Sequence, residues 1–340
     1  MQPSALLCPK PEGLYCPKAD LYIDPTRPVE RALITHGHSD HARSGHGRVL
    51  ATPETLAIMG ARYGDAFCGS KQELKYGEKL VINGVTFSLH SAGHVLGSAQ
   101  AAVECDGLRI VVSGDYKRQA DPTCPPFEVI KCDVFISEAT FALPVFKHPS
   151  AEQEVRKLMS SVALFPERTH LVGAYALGKA QRVMALLRKC GWEKPIFAHG
   201  AMMELTRLYQ EYGVELGDVQ HVKTAPKSFY AGGIVLCPPS ALQTPWARRF
   251  PDPVNSFASG WMRIRARARQ QLVELPLVIS DHADWNDLTQ TIKDTEAGEI
   301  WITHGEADAL AHWCKTQGLE AKALHLVGYG DEEEPPEVAA

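Results

Sequence analysis

The segment at positions 35–41, with the sequence THGHSDH, constrains the fold of this chain more than any other feature. It places three imidazoles and one carboxylate within six positions. Neutral imidazole is the commonest metal ligand in proteins, and carboxylate is its usual hard partner. The spacing therefore predicts ligation of divalent metal, with room for two ions and zinc as the first choice. The alternative is a polar loop whose histidines face no ion.

Side chains suited to metal binding or acid–base chemistry recur where short apolar runs end. The run at 31–34 leads into the segment at 35–41, and five later apolar runs lead to a histidine or a carboxylate. The residues that follow these later runs are His94, Asp115, Glu138, His282 and His304. Any one of them is also explained as a buried, hydrogen-bonded polar residue. Repetition of the same placement predicts one shared site.

Two further local patterns have simple structural interpretations. Asn83-Gly84 separates two strand-like runs and predicts a two-residue hairpin, while Thr52 followed by Pro53 predicts the start of a helix. Asp24 ends a strand-like run, where its carboxylate can accept backbone N–H groups and orient the neighbouring loop. The alternative for Asp24 is an aspartate that begins a turn before proline.

The composition limits the classes of protein to which this chain can belong. A length of 340 residues suits about two domains. The net charge of -5 means that a nucleic-acid partner would have to be met by a local basic patch. Nine cysteines without a Cys-x-x-Cys pair favour reduced thiols, and no run resembles a signal peptide or a membrane span. We therefore expect a cytoplasmic protein with no membrane partner.

The middle of the chain alternates between helical and strand-like patterns, as a parallel α/β unit does. Strand-then-ligand runs return after it, so this unit is interpreted as an insertion. We expect a catalytic domain at 1–145 and 273–328, an inserted domain at 146–272, and a disordered acidic tail at 329–340.

Two features of the inserted unit favour phosphate binding. Gly178 stands at a strand-to-helix turn, where free N–H groups bind phosphate, and Lys179 adds a point charge. Arginines recur at every second position from 263 to 269, so all of them would lie on one side of an extended chain. They are Arg263, Arg265, Arg267 and Arg269. The alternatives are an ordinary glycine turn and a solvated strand face. His199 is interpreted as packing or contacting substrate, outside the metal set.

The ordered motifs of the first half resemble the metallo-β-lactamase fold. The residues that carry this resemblance are Asp24, His36, His38, Asp40, His41, His94 and Asp115. Glu138, the ALGKAQ sequence at 176–181, the SDHAD sequence at 280–284 and the HGE sequence at 304–306 are similar to motifs of the β-CASP nuclease branch. Within that branch, the sequences at 13–17 and 260–267 are most similar to bacterial DNA-ligase-associated exonucleases. The resemblance implies an α/β protein in which a metallo-β-lactamase αββα sandwich carries an inserted α/β β-CASP domain.

The resemblance also implies roles for individual residues. It assigns His36, His38 and His94 to one ion, with Asp115 bridging to a second. It assigns the second ion, zinc or manganese like the first, to Asp40, His41 and His304. The resemblance further implies that Glu138 orients His282 and that His282 donates a proton to the leaving oxygen. Asp40 and Asp115 count among the catalytic residues, and Asp24 supports the metal ligands.

The function implied is two-metal hydrolysis of phosphodiester bonds in single-stranded DNA, as a 5′ exonuclease in DNA repair that can work beside a DNA ligase and a helicase. RNA processing is the alternative, because a histidine at the position of His304 is typical of the RNA-processing members. We expect no further C-terminal domain of the kind found in RNase J-like enzymes, which favours DNA. A third candidate is a small-molecule metallohydrolase on the same fold. The inserted unit disfavours it, because such an enzyme does not need an inserted α/β unit.

Overall fold

The computed structural model describes residues 1–223, 225–250 and 252–324. Within it the chain divides into two compact units, the first made of Met1–Lys147 and the segment that begins at His282, and the second of His148–Asp281. The second boundary lies later than the predicted 272/273, because the strand Leu275–Leu277 pairs with a strand of the inserted unit. The tail predicted at 329–340 lies outside the described residues.

The first unit contains two mixed β-sheets and four helices. One sheet has the strand order β1-β2-β3-β4-β5-β6 and the other β19-β18-β11-β10-β9-β8-β7. The strands of the first sheet are β1 (Cys8–Lys10), β2 (Gly13–Cys16), β3 (Leu21–Ile23), β4 (Arg31–Leu33), β5 (His46–Ala51) and β6 (Cys68–Glu73). Those of the second are β7 (Lys79–Ile82), β8 (Val85–Ser91), β9 (Ala99–Cys105), β10 (Leu108–Val112), β11 (Val134–Ala139), β18 (Glu299–Gly305) and β19 (Glu320–Ala323). The helices are α1 (Pro3–Leu6), α2 (Pro53–Tyr63), α7 (Trp285–Asp294) and α8 (Ala307–Thr316).

Three apolar cores arrange these elements in four layers. One core lies between the sheets, where Leu33 and Leu50 of one meet Leu89 and Val103 of the other. A second packs the outer face of the larger sheet on α7 and α8, and a third packs the smaller sheet on α2. Burial of apolar surface on both faces of each sheet is what holds such a sandwich together.

The inserted unit has a single six-stranded sheet in the order β14-β13-β15-β12-β16-β17, and every pairing in it is parallel. Its strands are β12 (His170–Gly173), β13 (Ile196–Ala198), β14 (Val219–His221), β15 (Ile234–Cys237), β16 (Val254–Ala258) and β17 (Leu275–Leu277). Its α-helices are α3 (Ala151–Leu164), α4 (Lys179–Lys189), α5 (Gly200–Glu211) and α6 (Arg265–Gln270). Four 3₁₀ helices cover Lys227–Tyr230, Pro239–Gln243, Ala247–Arg249 and Gly260–Arg263.

The predicted fold class, an αββα sandwich with an inserted α/β unit, is confirmed. Two local predictions, a helix start and a hairpin, are confirmed as well. Thr52 accepts from the backbone N–H of Thr55 to cap α2, and β7 and β8 pair as a hairpin across Asn83-Gly84. None of the helices in the described residues has both the length and the apolar content that crossing a bilayer requires.

Candidate metal centre

The strand arrangement of the first unit brings the predicted ligands to one edge. Strands β10, β11 and β18 are parallel neighbours, so their carboxyl ends meet. Asp115 follows β10, Glu138 is the penultimate residue of β11, and His304 is the penultimate residue of β18. The segment at 35–41 follows β4 of the other sheet, and the backbone N–H of Ala99 joins the sheets here by donating to the carbonyl of Thr35.

Three imidazole nitrogens surround one carboxylate oxygen at this edge. Oδ2 of Asp115 lies 3.4 Å from Nε2 of His36, 3.5 Å from Nε2 of His41 and 3.9 Å from Nε2 of His94. The Nε2 atom of His94 is also 3.0 Å from Nδ1 of His38. Ligand atoms of His36, His38, His94 and Asp115 all lie within 4.8 Å of one another. Asp115 thus lies among these imidazoles, and the bridging role that the resemblance implies for it stays a prediction.

The residues predicted for the second ion lie beside the same carboxylate. Nε2 of His41 is 3.6 Å from Oδ2 of Asp40, and the rings of His41 and His304 stack with centroids 5.0 Å apart. His304 adopts a left-handed φ of 55°. The next residue must be glycine, because a Cβ on Gly305 would lie 2.3 Å from the carbonyl oxygen of Ala139. The close approach of β18 to β11 therefore places the His304 ring against His41.

The electrostatics of the cluster fit a bound cation. Within the described residues, Nε2 of His36 and Oδ1 of Asp40 are buried and make no hydrogen bond, which is costly unless another group compensates. Burial raises the pKa of Asp115 to about 7. Burial opposes protonation of His41, but Asp115, Asp40 and Asp24 together raise its pKa to about 10. The carboxylates thus attract positive charge, and nitrogen and oxygen ligands of this kind suit zinc or manganese.

The imidazole of His36 is held ready as a neutral ligand. It is fully buried among other histidines, and burial together with its neighbours His41 and His94 lowers its pKa well below the usual value. Burial and His41 lower the pKa of His304 in the same direction. An imidazole without its second proton has a lone pair to give to a metal.

Asp24 holds one side of the cluster in place. Its Oδ1 accepts from the backbone N–H of Thr35 at 2.7 Å, and its Oδ2 accepts from the Thr35 hydroxyl at 2.6 Å. The same Oδ2 lies 2.8 Å from Nδ1 of His41. An Nδ1–H donated to this carboxylate leaves Nε2 of His41 as the atom that can bind metal. The orienting role predicted for Asp24 therefore has a geometric basis.

Glu138 and His282 form a buried pair next to the ligands. Oε2 of Glu138 lies 2.9 Å from Nδ1 of His282, while Oε1 accepts from the backbone N–H of Tyr116 at 2.8 Å. Side-chain atoms of Asp115, Glu138 and His282 also approach within 4.8 Å of one another, close enough for these three to share an ion. The Glu138 bond to Nδ1 directs Nε2 of His282 away from the carboxylate.

Sequence reasoning missed several residues that support the site. Thr35 fixes Asp24, the Ser98 hydroxyl accepts from the backbone N–H of His94 at 3.1 Å, and Nζ of Lys117 lies 3.4 Å from the backbone oxygen of His282. Thr35 stands directly before the histidine motif and could have been recognised by that position. Ser98 and Lys117 follow no spacing that the sequence alone makes meaningful.

The phosphate-binding role predicted for Gly178 and Lys179 does not fit the structure. Lys179 is fully buried, with Nζ 3.3 Å from Oδ2 of Asp281 and 3.1 Å from the backbone oxygen of Ile279. The N–H of Gly178 donates to Oε1 of Gln181, and the next two N–H groups donate to nearby backbone oxygens. The ammonium charge is therefore compensated internally, and this helix start offers few free donors to a phosphate.

The arginine row is helical and not extended as predicted. Arg263 ends a 3₁₀ helix, and the next three arginines lie in α6. In an α-helix, residues two positions apart point in nearly opposite directions, whereas residues four apart share a face. Arg265 and Arg269 therefore share an exposed face, while the guanidinium carbon of Arg267 lies 3.9 Å from the ring centroid of Trp261.

His199 lies at the start of α5 in the inserted unit. Its Nδ1 accepts from the backbone N–H of Ala201 at 3.1 Å, so it caps that helix. Its ring packs edge-on against Trp246, with centroids 4.8 Å apart. Both contacts lie within the inserted unit, and the exclusion of His199 from the metal set stays a prediction.

Comparison with known proteins gives homologues of two kinds. Over 339 residues the chain is 27% identical to a probable DNA ligase of Opitutus terrae, covering 96% of this chain and 32% of that protein. Over 198 residues it is 30% identical to endoribonuclease YSH1 of Eremothecium gossypii, covering 47% of this chain and 26% of that one. The chain thus spans about a third or less of the length of these relatives. No protein-family model matches it.

Solved structures with a similar fold include the following one. It is a protein of unknown function from Enterococcus faecalis, with a TM-score of 0.54 and 13% sequence identity, and the match covers 81% of this chain and 74% of the other. At this identity the similarity concerns the fold alone.

Proposed function

We propose that this chain, a homologue of the β-CASP nucleases of the metallo-β-lactamase fold, hydrolyses phosphodiester bonds in nucleic acid with the help of two divalent metal ions. The observation that carries the proposal is the convergence of three imidazole nitrogens on Oδ2 of Asp115, at 3.4, 3.5 and 3.9 Å. Seven candidate ligands, the Asp115 carboxylate among them, suit two ions better than one. Asp115 would bridge them.

The ligands divide into two sets by their neighbours. His36, His38 and His94 would hold one ion, and Asp40, His41 and His304 the other, each set completed by Asp115. Two divalent ions bound here, zinc or manganese, would lower the pKa of the attacking water and offset the charge that develops on a phosphodiester during in-line displacement. The donor set contains no thiolate, so it does not select for zinc over manganese.

His282, oriented by Glu138, would supply the proton that the leaving group needs. The Nδ1–H of His282 donates to Oε2 of Glu138, which fixes the ring and stabilises its protonated form. The second proton, on Nε2, can then pass to the departing oxygen as general acid. A carboxylate behind the imidazole keeps the ring oriented without itself taking part in the transfer.

The preferred substrate in this proposal is single-stranded DNA, cleaved from the 5′ end during repair, with a DNA ligase and a helicase as partners of the same system. The similarity to a probable DNA ligase, extending over 96% of this chain, supports the repair context. The phosphate-binding role that the sequence predicted is kept in this proposal for Arg263 and Arg265, which are exposed, and for the guanidinium of Arg267. The cytoplasmic location expected from the sequence remains a prediction.

RNA processing is the second candidate. It is favoured by His304, whose ring stacks on His41 at 5.0 Å, and by the similarity to an endoribonuclease. A small-molecule hydrolase would make no use of the arginine-rich inserted unit.

Degradation of matched single-stranded DNA and RNA, labelled at the 5′ or the 3′ end and supplied with zinc or manganese, tests the proposal. The expected result is faster loss of DNA, from the 5′ end, with affinity that falls steeply as salt rises because phosphate contacts dominate. Faster loss of RNA would favour the second candidate. Failure to cleave either polymer with either metal would refute the nuclease assignment.

A further inference from the structure

The two ends of the strands in the inserted unit's sheet differ in charge. We call the side where the strands begin the amino edge and the side where they end the carboxyl edge. All six strands are parallel, so their carboxyl ends share one edge. The segment at 238–271, which follows β15 and contains β16, has six arginines and a single acidic residue, Asp252. Asp252 precedes β16, at the amino edge, where Oδ2 lies 3.3 Å from Nε of Arg168. All six arginines of the segment follow a strand.

The amino edge keeps its charges in internal pairs. Arg168, which precedes β12, makes two hydrogen bonds of 2.7 and 2.8 Å to Glu274, which precedes β17. The carbonyl of Asp218, before β14, accepts from Arg188. The excess of positive charge in a protein whose net charge is -5 is therefore concentrated at the carboxyl edge of this sheet.

The segment after β15 folds over the carboxyl end of the central strand. A Cβ on Gly173, the last residue of β12, would lie 2.8 Å from Cδ1 of Leu242 and 3.4 Å from Cα of Pro239, so the segment passes close to this strand end. The fold brings Trp246 against His199, which follows β13, at a centroid distance of 4.8 Å. The guanidinium carbon of Arg249 lies 5.3 Å from the centroid of the Trp246 ring.

The His199 ring is suited to an uncharged stacking role. Burial, with smaller effects of its neighbours Arg249 and His221, lowers its pKa below the usual value, which favours the neutral ring. His221 ends β14, and its Nε2 would lie 3.0 Å from a Cβ on Gly200. Trp246 and His199 are each only partly buried, so aromatic surface flanked by arginine remains accessible.

A second planar group lies past the neighbouring strand. The guanidinium carbon of Arg267 lies over the ring of Trp261, 3.9 Å from its centroid, a cation–π contact that holds the guanidinium in place. Strands β15 and β16 both pair with β12, so the segments that follow them start about 10 Å apart, at two strand spacings. Aromatic rings and guanidinium planes next to arginines are what single-stranded nucleic acids bind, bases by stacking and phosphates by charge.

We propose that the carboxyl edge of the inserted unit's sheet binds single-stranded nucleic acid, with one base stacked on Trp246 beside His199 and the adjoining phosphates held by Arg248 and Arg249. The inference rests on the proposed function for its choice of ligand. Stacking requires an unpaired base, so this surface selects single strands over duplexes and tolerates any sequence.

Binding of a labelled oligothymidylate of about 15 nucleotides, long enough for one site, tests the inference. The full chain is kept in chelator so that no cleavage occurs, and fluorescence anisotropy reports the Kd. Trp246→Ala is expected to raise the Kd about 5- to 150-fold, Trp246→Phe to restore most of the affinity, and Arg249→Ala to weaken binding and its salt dependence. The matched control is Arg207→Ala, which removes an exposed arginine from α5.

Two results would overturn the inference: an unchanged Kd for a folded Trp246→Ala protein, or an equal loss of affinity for duplex DNA. If Trp246→Ala fails to fold, an unchanged Kd for both Arg249→Ala and His199→Ala counts against it equally. Hydrolysis of bis(p-nitrophenyl) phosphate, which has no base to stack, separates this inference from the nuclease proposal. A protein that binds oligothymidylate through Trp246 but hydrolyses no phosphodiester would refute only the proposed function.

Discussion

Oε2 of Glu138 lies 2.9 Å from Nδ1 of His282, and both side chains are buried. This contact can serve a proton donor or a pair of metal ligands, and the two roles differ in what removal of the imidazole does. If His282 is a general acid, its loss leaves the ions in place and slows only the chemical step.

His282→Ala is therefore expected to keep its metal content and to lose activity by a factor of about 10²–10⁴. Metal analysis alongside single-turnover cleavage measures both quantities. Glu138→Gln, which can still accept from Tyr116, should lose less activity and shift the pH–rate profile. Loss of an ion from His282→Ala would show that it is a ligand.

Asp24→Asn should weaken metal binding without removing a ligand. The carboxylate accepts three hydrogen bonds, two from Thr35 and one from His41, and an amide cannot accept all three. Loss of such an orienting partner typically lowers metal affinity about 10- to 100-fold. Competition with a chromophoric chelator measures the change, with exposed Asp65→Asn as the control. Equal affinities for the two variants would contradict the orienting role.

Lys179→Met should destabilise the protein because it leaves the buried carboxylate of Asp281 without the ammonium group that lies 3.3 Å from it. Nη1 of Arg182, 3.7 Å from Oδ1 of Asp281, compensates only in part. Breaking a buried pair commonly costs about 3–5 kcal/mol. Most of the loss in the free energy of unfolding should return in the double variant with Asp281→Asn. If the single variant instead keeps its stability and loses affinity for DNA, Lys179 contacts phosphate as the sequence predicted.

The inserted unit should lose stability in mild acid because of His170. Its Nε2 lies 2.8 Å from Oγ of Ser161, and burial, with a smaller effect of Arg168, lowers its pKa to about 4. In the unfolded chain the pKa is about 6.5. Above that pH both states are neutral, and between the two values only the unfolded state gains a proton. Stability therefore falls as pH drops from about 6.5 to about 4, by at most about 1.4 kcal/mol per pH unit.

Urea denaturation at several pH values measures this dependence. His170→Gln should reduce the slope over the same interval, since the amide does not titrate. An identical slope for the variant and the unchanged protein would assign the acid sensitivity to other groups.

The sequence predicts which histidines and carboxylates come together because a cluster of such side chains at strand ends is a local pattern. The run before His36, the turn at Asn83-Gly84 and the cap at Thr52 each depend on neighbours within a few positions. Residues whose role depends on distant contacts were assigned less well. From the sequence alone Lys179 is interpreted as a surface charge, because its buried partner Asp281 lies about a hundred positions later in the chain.

The prediction that the arginine row is extended was wrong for a different reason. Alternation of charged and apolar residues has the period of a strand, but arginine and alanine also have high helix propensity. The pattern alone could not decide between them. The contact between His199 and Trp246 joins the segments that follow β13 and β15, and neither segment's sequence predicts it.

The most direct test of the two-metal account is metal content and hydrolysis of bis(p-nitrophenyl) phosphate in Asp115→Asn beside the unchanged protein. The account predicts two ions per chain in the unchanged protein, loss of at least one ion and of hydrolysis in the variant, and the same circular dichroism for both. An Asp115→Asn protein that keeps two ions and full activity, or unchanged hydrolysis after complete removal of metal, would contradict it.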